Sequence, residues 1–116
     1  MASVEALLTL PDDIPDFPNA TIHVRLLDVS LADAPAVEVA ETVIDGVSVK
    51  SGDTIAVIVD VPDNRIRQDR HYVIRAHIDA GRNARVTKGD CVSTRSHPVL
   101  SFGNPATVSV PLRYLR

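Results

Sequence analysis

Tryptophan is absent from this chain of 116 residues, and the other aromatics amount to two Phe and two Tyr. A core must therefore come from aliphatic side chains, and 17 Val and 8 Ile supply them. β-Branched residues lose rotamer freedom in helices and pack well on pleated surfaces, so this excess predicts strands. One cysteine excludes an internal disulfide and a cysteine-based zinc cage. A basic excess is missing too: 12 Lys and Arg against 15 Asp and Glu give a net charge of −3. Nucleic-acid-binding domains carry the opposite balance, so no nucleic-acid partner is expected. No apolar run comes near the about 20 residues of a membrane helix, so no transmembrane span is expected. The stretch Met1 to Leu10 has neither a basic leader segment nor a cysteine beside a cleavage site. As written, the chain reads as cytoplasmic.

What is present is period-two alternation. Ser3–Leu8 reads as a first strand, followed by a stretch with Pro11, Pro15 and Pro18 that excludes helix and central strand from Pro11 to Asn19. Thr21–Asp28 alternates most cleanly, with Ile22, Val24 and Leu26 on one face and His23 and Arg25 on the other. Val37–Val43 repeats the pattern, with Glu38 on one side and Val37, Val39 and Val43 on the other. Asp45-Gly46 and Ser51-Gly52-Asp53 are turn signals. Thr54–Asp60 is apolar on both faces, which predicts a strand in mid-sheet. Tyr72–Asp79 places Tyr72, Ile74, Ala76 and Ile78 opposite Val73, Arg75 and His77. Ala80–Asn83 turns the chain, Ala84–Val92 reads as a polar edge strand, Pro98–Leu100 is short, and Thr107–Leu112 closes the sheet. Seven or eight short strands at roughly ten-residue spacing predict one all-β domain over residues 1–116. The expected form is an antiparallel β-sandwich, immunoglobulin-like or transthyretin-like.

Residues that could carry chemistry are few. His23 and His77 would approach if their strands are neighbours, but no HxH or HExxH spacing occurs and no metal site is assigned. No GxSxG elbow activates a serine. Cys91 follows Asp90, the wrong sign of neighbour for a reactive thiolate. No catalytic residue and no cofactor follow from the sequence. The uneven feature is basic: Arg65, Arg67, Arg70 and His71 share one connection, and Arg82, Arg85, Lys88 and Arg95 come next. The first group is the candidate surface for a protein or peptide partner.

Three stretches resemble a known family. Thr21 to Ser30, followed by Ala32-Asp33-Ala34-Pro35-Ala36, is similar to a block of the YbaY-like lipoproteins, which include the YscW-type lipoprotein chaperones (pilotins) of type III secretion. Arg70–Ile78 and the pair Pro98-Val99-Leu100 and Gly103-Asn104-Pro105 resemble two further segments of it. The resemblance spans about Leu10 to Leu112. It implies a small β-sandwich of the cell envelope, without catalytic residues, and in pilotin-type members a secretin partner. If a leader is missing here, the envelope replaces the cytoplasm as the expected location.

Together these readings give a monomeric, non-enzymatic binding or accessory module of envelope or secretion-chaperone type. The alternative is a small hydrolase or ligand-binding enzyme with its site at one end of the sandwich, near Asp69 and His71. In the family-like blocks, Asp28 and Ser30 are expected to cap a strand, Tyr72 to fill the core, and Gly103-Asn104-Pro105 to turn.

Overall fold

The computed structural model describes residues 2–31, 33–81 and 85–116. Ala32 of the family-like block, Arg82 of the second basic group, Asn83 of the expected turn and Ala84 of the expected edge strand lie outside these residues. Eight strands are present: β1 (Ala2–Thr9), β2 (Phe17–Asp28), β3 (Val37–Val49), β4 (Thr54–Val61), β5 (Tyr72–Asp79), β6 (Cys91–Ser93), β7 (His97–Val99) and β8 (Thr107–Tyr114). A single 3₁₀ turn, Asp63–Arg65, is the only helical element among the described residues.

The all-β expectation holds, but the two separate sheets of a sandwich do not form. Hydrogen bonding runs in the order β3-β2-β5-β6-β8-β1-β4, with β7 also on β5. In β6, Cys91 and Val92 pair with β5 on one side and all three residues pair with β8 on the other, and so weld the two halves into one curved sheet. Its end strands, β3 and β4, meet across a seam where Thr42 Oγ1 donates to the Ile58 carbonyl at 2.8 Å. The result is a nearly closed barrel. It is not wholly antiparallel, because β1 and β8 run parallel.

Alternation explains the core. Val4, Ala6 and Leu8 of β1, Ile22, Val24 and Leu26 of β2, and Ile74 and Ile78 of β5 all point inward and are fully buried. Tyr72 joins them as expected; its hydroxyl accepts the Arg67 N–H at 2.9 Å, which satisfies the one polar atom it brings inside.

Five expectations are corrected. First, Phe17–Asn19 belong to β2 despite Pro18. Register shifts between Phe17↔Val49 and Ala20↔Val47, and β5 pairing begins only at Thr21, so Pro18 occupies an irregular stretch flanked on one side. Second, Asp45-Gly46 is a bulge inside β3 and not a turn. The two residues oppose Thr21 alone, Gly46 adopts φ +66°, and Thr21 Oγ1 donates to Asp45 Oδ1 at 3.0 Å. Third, Val37 and Val43 do not share the side of Val39, which packs against the core: they stand 61% and 46% exposed, because register sets them beside Asp28 and His23. Fourth, β4 ends the strand order and is not in mid-sheet; Val57, Val59 and Val61 are buried while Ile58 is exposed. Fifth, the predicted edge strand ending at Val92 is loop over residues 85–90, and strand begins only at Cys91, where β6 lies between β5 and β8 and is not an edge.

The loops sort to two ends. Of the described residues, 29–31, 33–36, 62–71 and 100–106 lie at the end where Asp28 meets Tyr72 and Ala2 meets Val61. Residues 10–16, 50–53, 80–81 and 85–90 lie at the other.

Candidate functional site

The β2–β5 ladder sets His23 opposite His77 and Arg25 opposite Arg75. Their neighbours Ile22, Val24, Ala76 and Ile78 point into the core, so these four side chains share the outer face. The imidazoles stack with centroids 5.5 Å apart and planes 17° from parallel. The approach of the two rings, conditional on neighbouring strands in the sequence, is therefore realised.

Behind the histidines the face turns acidic and closed. Asp90 is 1% exposed, and its carboxylate accepts from His77 Nε2 (2.8 Å), from the Ala80 N–H (3.0 Å) and from the Thr87 N–H (3.1 Å). Burial opposes its charge, but these hydrogen bonds outweigh the burial and hold the carboxyl below the usual aspartate range. Asp90 thereby ties the loop before β6 to β5. His77 Nε2 and one oxygen each of Asp79 and Asp90 all lie within 4.8 Å of one another, a donor set suited to a divalent cation. The donors already on Asp90 account for that carboxylate without an ion.

Ahead of the histidines the face turns cationic. Arg25 Nε lies 2.9 Å from Glu41 and 3.4 Å from Glu38, both on β3. Arg75 has no ion pair or side-chain hydrogen bond among the described residues. A cleft of about 240 Å³ opens here, lined by His23, Arg25, Arg75 and His77, with Val86 and Val92 as apolar wall.

The sequence-predicted cluster lies elsewhere, on the end of the barrel. Arg67 pairs with Asp69 at 3.4 Å, and Arg70 lies 3.7 Å from Asp28. Arg65 has no charged partner among the described residues; its carbonyl accepts weakly from the Tyr72 hydroxyl at 3.5 Å. The His71 ring stacks on Phe102, 4.3 Å between centroids. Phe102 is 57% exposed and held at φ +53°, with Leu100 at +69°, a backbone that non-glycine residues adopt at a cost. Ser101, between them, donates its hydroxyl to the Arg70 carbonyl and locks this loop onto the basic connection. As expected, Asp28 Oδ1 accepts both the N–H and the hydroxyl of Ser30, at 2.9 and 2.6 Å. Burial works against the Asp28 charge, yet these bonds together with Arg70 and His71 lower its pKa. The residues of the enzyme alternative do not combine: Asp69 is engaged by Arg67, and His71 by Phe102.

Cys91 is buried in β6, and burial with the Asp90 charge pushes its thiol up to about 11, so it is inert at neutral pH. A larger cleft of about 680 Å³ at the opposite end is lined in part by Asp13, Lys88, Tyr114 and Arg116, with Arg116 bonded across it to Asp13. Sequence reading passed over Arg75 and Asp90 as site residues. Arg75 was already on the polar face with His77, but nothing local says that its opposite number, Arg25, is neutralised while it is not.

The profile of one family, the type III secretion system lipoprotein chaperone YscW, matches residues 1–112. Among solved structures, an alternative pilotin from the type II secretion system of Vibrio cholerae is similar, with a TM-score of 0.67 and 23% identity over 95% of this chain and 93% of that one. At that identity the likeness is one of fold. No curated protein matches the chain. Nearly its whole length is thus accounted for by one family: the chain belongs to the YscW lipoprotein chaperones, an accessory, protein-binding class.

Proposed function

We propose that this chain acts as a pilotin-type chaperone, a binding protein and not an enzyme, whose partner is a secretin subunit. The observation that supports this best is the family match across residues 1–112. The contact surface is the end that carries Arg65, Arg67, Arg70 and His71. Its cations are largely offset by Asp28 and Asp69, and its distinctive feature is exposed apolar surface: Phe102, and Leu31 at 65% exposure. An aromatic ring fixed on strained backbone and backed by an imidazole is a preorganised anchor for an apolar side chain of a partner. Arg65 supplies a cation at its rim.

The test is binding of the full chain to an immobilised, purified secretin subunit. Saturable binding is expected, weakened about tenfold or more by Phe102→Ser with the fold retained by circular dichroism. Absence of binding by the wild-type chain would contradict the proposal.

A further inference from the structure

We infer that the cleft between β2, β5 and β6 is a carboxylate-binding pocket that receives an acidic group of a bound peptide segment; the inference rests on the reading of the chain as a protein-binding chaperone. The argument begins with charge. Of the two arginines that face each other on the β2–β5 ladder, Arg75 is the one without a counter-charge among the described residues. Arg25 is answered by Glu41 and Glu38, and Asp90 by His77 and two backbone N–H groups. Arg75 is answered by nothing among the described residues and sits at the mouth of the cleft. Glu38 and Glu41 stand on the far side of Arg25, one strand beyond β2, so they do not close over Arg75. The next outward position on β8, Arg113, pairs in register with Val92 of the cleft wall and adds positive potential.

The second element is a hydrogen-bonding floor. His23 Nδ1 is sealed from solvent near Glu41, 3.8 Å away, without a hydrogen bond. That leaves Nε2 as the ring nitrogen on the cleft side. The stack with His77, itself anchored by Asp90, fixes the His23 ring in place. A guanidinium presents two parallel N–H donors, the geometry that a carboxylate accepts. The third element is size: about 240 Å³ with Val86 and Val92 on one wall suits a Glu or Asp side chain or a chain terminus and excludes a large cofactor. Arg75 lies four residues along β5 from His71, about 13 Å at the strand rise, so one extended segment can touch Phe102 and this pocket together.

The test titrates the full, ¹⁵N-labelled chain with two probes: acetyl-Gly-Glu-Gly-amide, and acetyl-Gly-Gly-Gly with a free terminus. The His23 and His77 ring nitrogens and the Arg75 guanidinium are observed by NMR. A saturable shift confined to these groups is expected with at least one probe. The capped peptide identifies a side-chain carboxylate as the better occupant, and the free acid a terminal one. Arg75→Gln should weaken the titration about tenfold, Arg75→Lys should fall between, and Lys50→Gln, an exposed cation outside the cleft, should leave it unchanged. No saturable shift with either probe, or equal titration of Arg75→Gln, would overturn the inference. Secretin capture by the wild-type chain is scored separately, so failure of the partner reading is told apart from failure of the pocket.

Discussion

Two cationic regions of this barrel arise in opposite ways. The connection from Arg65 to His71 concentrates positive charge in the sequence, yet folding spends most of it locally: Arg67 on Asp69 and Arg70 on Asp28. Arg25 and Arg75 are far apart in the chain, yet the β2–β5 register brings them face to face, and β3 neutralises only the first. Charge density along a chain is therefore a poor guide to surface potential where acids are interleaved with bases. Strand register decides which charges remain. The first region is left with an apolar anchor, Phe102, and the second with an unanswered guanidinium.

The comparison is broken most severely through the register itself. Val24 lies between His23 and Arg25 and is fully buried. Val24→Asp should leave no folded population at neutral pH, seen as loss of the strand signal in far-UV circular dichroism. Next comes Asp90→Ala, which strands the Ala80 and Thr87 N–H groups and frees His77; a loss of about 3 kcal/mol is expected in urea unfolding. Because the folded carboxyl titrates below its ordinary value of about 3.9, its stabilisation is complete above that pH. It is lost as pH falls through the lower folded value. The part of the wild-type advantage carried by the carboxyl itself should therefore be constant above about pH 3.9 and shrink only at the acidic limit below it. Tyr72→Phe removes one buried hydroxyl bonded to the Arg67 N–H, at a cost of about 1 kcal/mol by the same measurement. Smallest is Asp69→Asn: its exposed pair with Arg67 is worth about 0.5 kcal/mol or less, and a larger value would mean that the end cluster is more than solvated charge.

The local parts of this fold were legible. Alternation placed Ile22, Val24, Leu26, Ile74 and Ile78 inside, and the short polar links at Asp28-Ser30 and Gly103-Asn104-Pro105 are where expected. What eluded the sequence depends on partners distant in the chain. The bulge at Asp45-Gly46 looks like any turn until Thr21 is seen opposite it. Closure into a barrel rests on three residues, Cys91–Ser93, which carry no strand signal longer than their neighbours. β4 read as a mid-sheet strand because Val and Ile favour sheets wherever they stand, whether the face is covered or open. The candidate surface of Arg65, Arg67, Arg70 and His71 was drawn from proximity in sequence alone. Arg75 required knowledge of which strands flank β5.

The most direct measurement compares secretin-subunit binding by wild type, Phe102→Ser and Arg75→Gln at about 0.05 M and 0.5 M salt, ionic strengths that separate screened from unscreened contacts. The expected result is that Phe102→Ser weakens binding equally at both, while Arg75→Gln weakens it at low salt and converges on wild type at high salt. Unaltered binding by both variants at both salt concentrations would contradict the division of labour between the end and the face.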